Sequence, residues 1–337
     1  MSASQSCGTD SHSFLRVVPL CRDAPASAGE AHTAKGNTEV NKKIWAALTV
    51  VPLVALLSGC AGASGEAGGS SGASDEVVKI GVVGASDPYW ADYKAAAADE
   101  GINVEIIDFA DYPQPNPALT EGEIDLNQFQ HIVYLADYNV SNKQDLVPIG
   151  ATAIYPLALY STKVTSVDDI KKGDTVAVPN DPSNLSRALL VLQSAKLITL
   201  KDGGSIFSTL DDIDTDKSKV TVKALEASLT PTSLPDVAAA IINNDFVEKA
   251  GLKFEDAIAK DDPSDPNALP YVNIFAARAE DKDNKTYKKL VEIYQDSEKV
   301  REGVLDVSGG TAILVKTPVA ELEKSLKTVE EDTAAQK

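Results

Sequence analysis

Val178-Pro-Asn-Asp-Pro-Ser-Asn-Leu-Ser-Arg187 carries a strand end, a turn and a helix start in one short run. Thr175-Val-Ala-Val178, at its head, is apolar and rich in β-branched residues, as a buried strand requires. Asp181 suits an N-cap. Pro182 suits the first helical position, where its fixed φ fits and its missing N–H costs nothing. Leu185, Ala188, Leu189 and Leu192 then recur at i, i+3, i+4 and i+7, one apolar stripe for packing on a sheet. The sequence therefore predicts a strand over 175–178 and a helix over 182–195. A strand that feeds a helix through a short turn is the repeating unit of α/β folds. Ligands of such folds gather at the carboxyl ends of strands, where free N–H groups of helix starts attract anions. Arg187 falls off the apolar stripe, in the second turn. A guanidinium fork there can grip a carboxylate through two charge-assisted hydrogen bonds. A plain surface arginine is the commoner outcome for such a position.

The same alternation extends outward. Strands are predicted over 77–83, 104–109, 124–126 and 154–160. Segments 220–224, 234–242 and 271–277 continue the pattern. Helices are predicted over 87–100, 128–138, 287–296 and 318–330, and another begins at Pro117 with Asn116 as its N-cap. In 128–138, Phe129, Ile132, Val133 and Ala136 form the core stripe, with His131 and Tyr134 on a neighbouring face. Tyr112 falls in a Pro-rich loop after a strand. By themselves these are an ordinary amphipathic helix and an ordinary loop.

Catalysis is largely excluded by what the chain lacks. Beyond residue 60 the only histidine is His131, so a His-rich metal site cannot form and a Ser-His-Asp triad would depend on that residue. No nucleophile elbow, P-loop or dinucleotide fingerprint is present. Asp261-Asp262-Pro-Ser-Asp265 hints at calcium, but Pro263 and the missing glycine break the EF-hand pattern, leaving a solvated loop. No metal and no cofactor is expected, and the chain reads as a non-enzyme.

The N-terminal region predicts export. Asn41-Lys-Lys43 is basic, 44–57 is free of charge, and Leu57-Ser-Gly-Cys60 follows. A basic stretch, an apolar run of about 7–15 residues and small residues at the cut describe a signal peptide. The run is shorter than the roughly 20 residues of a spanning helix. Leu57-Ser-Gly-Cys60 resembles the lipobox of bacterial lipoproteins. That resemblance implies cleavage before Cys60 and diacylglycerol, with its palmitate-type chains, on the thiol. Residues 1–39 lack periodicity and read as a mis-called extension of the 1–59 leader, with translation starting near Val40. Residues 61–74 are Gly/Ser/Ala-rich, so 60–76 reads as a lipidated cysteine and a flexible tether. Cys7 and Cys21 lie in the leader, so disulfides are excluded from the mature chain.

Removing the 5 basic and 4 acidic residues of 1–59 from the chain's 31 and 50 leaves 26 and 46, a net charge of −20. A body that acidic repels nucleic acid and anionic headgroups. Its length suits two lobes or one large α/β unit.

From Cys60 onward the chain resembles the NlpA-type family, the methionine-binding lipoproteins of ATP-driven importers. The matching runs are ordered: Lys79-Ile-Gly-Val82, Phe129-Gln-His131, Tyr155-Pro156, Val178 to Leu185, Leu200-Lys-Asp-Gly203, Leu225-Glu-Ala227 and Pro270-Tyr-Val-Asn273. The resemblance implies a two-lobed, type II periplasmic-binding-protein fold with two crossover strands. Lobe 1 would combine 77–157 with 270–337, and lobe 2 would span 158–269. It implies that Tyr112, Phe129, His131 and Tyr134 surround a thioether side chain and that Arg187 holds a carboxylate. Asn184, Asn243 and Asn273 would then serve the amino-acid head group. Asn244-Asp-Phe246 departs from a Thr-Thr-Tyr-like run, and Asp245 adds an acidic group near that head-group site. Ile132-Val133 departs from a Lys-Pro pair.

The expectation is a monomeric, lipid-anchored binding protein on the outer face of the cell membrane, delivering methionine to permease and ATPase subunits. Another small amino acid, or a methionine-containing dipeptide, is the alternative within that class. A lipid-anchored adhesin or signalling subunit is the alternative outside it.

Overall fold

The computed structural model describes residues 17–19 and 77–336. In chain order its strands are β1 (Val17–Pro19), β2 (Val77–Val82), β3 (Asn103–Asp108), β4 (Leu126–His131), β5 (Val147–Ala151), β6 (Ala153–Ile154), β7 (Ala158–Tyr160), β8 (Thr175–Pro179), β9 (Thr221–Leu225), β10 (Ala239–Ile242), β11 (Ala259–Asp261), β12 (Asn273–Ala277) and β13 (Ile313–Leu314). Its α-helices are α1 (Tyr89–Asp99), α2 (Pro115–Thr120), α3 (Ile132–Asn142), α4 (Pro182–Ser194), α5 (Asn244–Val247), α6 (Lys285–Asp296), α7 (Glu298–Val307) and α8 (Val319–Gln336).

The strands form two large sheets and a short ribbon. The first sheet has the order β3-β2-β4-β12-β5, the second β1-β11-β7-β10-β8-β9, and β13 pairs with β6. In the first, β2 runs parallel to β3 and β4, while β12 runs antiparallel to β4 and β5. In the second, β8 runs parallel to β9 and β10, while β7 is antiparallel to β10 and β11. The chain leaves the first sheet through 155–157 and returns to it through 262–272. Two α/β sheets joined by two crossings make a two-lobed binding-protein fold. β1 lies antiparallel to β11 at the edge of the second sheet, and a chain cut before Cys60 would lack it.

Local chemistry explains the elements. β2 is hydrogen-bonded on both sides and its Ile80 is fully buried, which accounts for its near-continuous apolar run. Tyr93 of α1 is fully buried among Trp90, Phe275 and Leu290, and its hydroxyl donates to the Leu290 carbonyl at 3.2 Å. On the other face of this sheet, Leu135 of α3 and Leu322 and Leu326 of α8 pack against Ile274 and Ala276. In the second sheet, Leu189 and Leu192 of α4 bury against Val176, Val178 and Ile241. Each such side chain contributes about 1.5–3 kcal/mol when removed from water. Gly150 of β5 is needed for close packing: a Cβ there would lie 2.2 Å from Cγ1 of Val291 on α6.

Several sequence expectations are corrected. The segment 128–138 is not one helix, because β4 continues to His131 before α3 begins. All six β4 residues are buried between β2 and β12, and tertiary pairing overrides the helical spacing of its apolar residues. Asn116 is not an N-cap. It lies inside α2, buried, and its side-chain amide bonds those of Asn127 and Gln130 at 2.6–2.9 Å. The expected strand 154–160 is broken by the crossing at 155–157, and only 239–242 of 234–242 is strand. Asp261 is not in a solvated loop but is fully buried. Strands β5 and β11 and helix α7 are additions to the sequence reading.

Candidate ligand-binding site

The start of α4 forms as its residues dictate. The Asp181 carboxylate accepts from the Asn184 amide at 2.9 Å, with Pro182 at the first helical position. Arg187, one turn further, is 4% exposed. Its Nε donates to Asp261 Oδ2 at 2.6 Å and its Nη2 to the Tyr155 carbonyl at 2.8 Å. The guanidinium carbon lies 4.4 Å from the centre of the Tyr271 ring. Asp261 Oδ1 accepts from the Leu157 amide at 2.8 Å. Both crossings therefore converge on Arg187: Tyr155 and Leu157 from one, Tyr271 from the other, with Asp261 between them. Nη1 has no hydrogen-bond partner among the described residues.

His131 closes β4 and caps α3. Its Nδ1 accepts from the Tyr134 amide at 3.1 Å, which leaves the proton on Nε2 to donate to Asn184 Oδ1 at 3.4 Å. Burial, and next the Arg187 charge, lower its pKa to about 3, so the ring is neutral at physiological pH. Asn184 Oδ1 also accepts from Asn243 Nδ2 at 3.0 Å, and Asn184 Nδ2 donates to Asp181. The Oδ1 atoms of Asn243 and its neighbour Asn244 are buried with no donor among the described residues. Asn273 stands opposite His131 in the β12–β4 register.

Tyr112, Phe129 and Tyr134 form an aromatic cluster with ring centres 5.6–6.1 Å apart, and Phe246 packs on Tyr112 at 5.2 Å. The Tyr112 hydroxyl donates to Asp245 Oδ2 at 2.8 Å. Burial pushes the Asp245 carboxyl up to about 6 against the opposing effects of this bond and of Lys249. Asp245 lines the same cavity as Asn243, and there it touches the aromatic cluster through Tyr112.

All eight ligand-site residues read from the sequence line one cavity: Tyr112, Phe129, His131, Tyr134, Asn184, Arg187, Asn243 and Asn273. Cys60 lies outside the described residues. Sequence reasoning missed Tyr155, Pro156, Leu157, Gln130 and Asn244 in the lining, and Asp261 and Tyr271 behind Arg187. The Tyr155-Pro156 and Pro270-Tyr-Val-Asn273 runs were the available signals. A cationic nitrogen and unpaired amide oxygens share this cavity with polarizable rings. That set suits a small ligand with an ionic head and an apolar tail.

The NlpA lipoprotein family model matches residues 78–315. The chain belongs to the NlpA lipoprotein family. Within reach of that family, it is 36% identical over 271 residues to the probable D-methionine-binding lipoprotein MetQ of Pasteurella multocida, covering 80% of this chain and 97% of that one. Protein PG110 from Staphylococcus aureus superposes with a TM-score of 0.70 at 35% identity, covering 76% of this chain and 100% of that one. A nutrient-binding protein from Burkholderia cenocepacia, solved bound to methionine, gives 0.66 at 39% identity, covering 70% and 99%. The family match spans every residue of the cavity.

Proposed function

We propose that this NlpA lipoprotein is the binding subunit of an ATP-driven importer and carries methionine between its two lobes, without catalysis. The observation that carries the reading is the pairing of a fixed Arg187, with Nη1 uncommitted, and a three-ring aromatic cluster in one cavity. The ligand carboxylate would sit on Arg187. Its ammonium would donate to the buried Oδ1 of Asn243, which otherwise has no donor. The thioether would lie among Tyr112, Phe129 and Tyr134, where sulfur–ring contacts contribute about 0.3–1.5 kcal/mol each. His131 and Asn184 would frame the head group, with Asn273 beside them. Methionine-binding relatives with this cavity's span support the assignment.

The proposed lobes are 77–157 with 270–337, and 158–269. Cys60 would carry the lipid, holding a monomeric body at the outer face of the membrane on the tether 61–76, near the permease and ATPase subunits. Among the described residues no helix is long and apolar enough to cross a membrane.

The test is binding calorimetry on residues 60–337, unfolded and refolded to remove retained ligand. Its titrants are L-methionine, D-methionine, a methionine-containing dipeptide and leucine. One-to-one binding, tightest for a form of methionine, is the expected result. Tightest binding of leucine or of the dipeptide replaces methionine with that ligand. No binding of any of them overturns the transport reading.

A further inference from the structure

Asp245 lines the cavity, yet it was not among the recognition residues. One of its oxygens accepts from the Tyr112 hydroxyl, and the other has no donor among the described residues. A phenol has a single proton to give. With that proton committed to Asp245, this pair offers a ligand only acceptor oxygens. The Tyr112 ring packs on Phe129 and Tyr134, so the pair stands at the apolar end of the cavity. The carboxylates acting on the Tyr134 hydroxyl are Asp181, Asp111 and Asp137, not Asp245.

We propose that Asp245 is a specificity-determining residue that makes the apolar end of the cavity reject ligands ending in a hydrogen-bond acceptor, above all methionine sulfoxide. The inference rests on the methionine reading. A thioether is a weak acceptor and loses little when no donor faces it. Oxidation to the sulfoxide makes the same side chain polar. Buried against a carboxylate and a phenol oxygen, the sulfoxide oxygen would give up its water and find no donor in that pair. Leaving such a group unsatisfied weakens binding on the order of ten- to a hundredfold.

The discrimination should depend on pH. The groups acting on Asp245 are Tyr112 in direct contact, Asp87 ahead of α1 and Lys249 after α5; the buried hydroxyls of Tyr89, Tyr155 and Tyr294 are coupled to its charge, and Glu248 and Asp108 act in turn on Asp87. With a pKa raised to about 6, Asp245 is ionised at neutral pH and gains a donor proton below that value. His131 stays neutral across the same range.

The experiment compares methionine with methionine sulfoxide on refolded 60–337, at about pH 7.5 and about pH 5, on either side of the Asp245 midpoint. The wild type and Asp245→Asn are both measured, and the readout is the ratio of the two dissociation constants. The wild type should favour methionine by about tenfold or more at the higher pH. That ratio should shrink several-fold in acid, and in the variant, whose amide can donate, at either pH. A wild-type ratio near one at neutral pH overturns the proposal. So does a ratio that acid leaves unmoved, an outcome that needs no variant. A wild type that binds neither compound overturns the methionine reading and this inference with it, which separates the two failures.

Discussion

The Arg187 guanidinium spends Nε on Asp261 and Nη2 on Tyr155, and it lies over Tyr271. Asp261 is fully buried, so deleting Arg187 strands a carboxylate without its partner. Breaking such a pair costs about 3–5 kcal/mol. Arg187→Ala should therefore lose stability by roughly that amount as well as methionine affinity. The double change Arg187→Met with Asp261→Asn should recover much of the stability but not the binding. Urea unfolding checks the first part and calorimetry the second; wild-type stability in Arg187→Ala would contradict the pairing. His131 offers a pH test. Its folded pKa is about 3 against an ordinary 6.5, so the folded state binds fewer protons than the unfolded state between those values. The stability it contributes is present above about pH 6.5 and is lost as pH falls toward 3. Residues 60–337 contain a single histidine, so its NMR signal is unambiguous. It should stay untitrated between about pH 5 and 8, and a midpoint near the ordinary value would show an exposed ring. At this scale the helical position of Arg187 was legible, because Asp181, Pro182 and the leucine stripe are local signals; its burial was not, since those signals alone favoured a surface arginine. Its partner was not. Asp261 lies 74 positions away, and nothing local separates it from Asp262 and Asp265.

The element that places most of the site is the β4–α3 junction, which supplies Phe129, His131 and Tyr134. It is held by three buried amides, those of Asn116, Asn127 and Gln130, which satisfy one another. Gln130→Leu leaves Asn116 and Asn127 short of partners, and should lower stability by about 1–3 kcal/mol. A thermal melt of the ligand-free variant measures this, and an unchanged midpoint would mean that the network contributes nothing. The junction was hidden in the sequence because a strand buried on both faces has no alternation to read. Its polar residues suggested an exposed face, and its apolar residues happened to match a helical period. Helix α4 was legible for the opposite reason, since cap, proline and stripe all lie within its own length. Short strands such as β7 and β11 carry too few residues for any period to appear.

At the scale of the whole molecule, the cavity is walled by residues from around both sheets, and hydrogen bonds run between the segments that flank it. Tyr112 meets Asp245, Ser228 donates to Asp111 at 3.0 Å, and His131 reaches Asn184. Each joins a segment around the first sheet to one around the second, so the chain is seen with its lobes closed on the site. Alternating strands and helices made the α/β class legible. The division into two lobes came from ordered family-like runs, since periodicity does not say which strands share a sheet. Closure also explains why the ionic groups need partners, because a zwitterion sealed from water must find its counter-charges in the wall. The most direct measurement is a crystal structure of residues 60–337 with L-methionine. The ligand carboxylate should lie on Arg187 Nη1, its ammonium on Asn243 Oδ1, and its sulfur among Tyr112, Phe129 and Tyr134. Methionine bound outside this cavity, or turned with its carboxylate toward the aromatic cluster, would contradict the account.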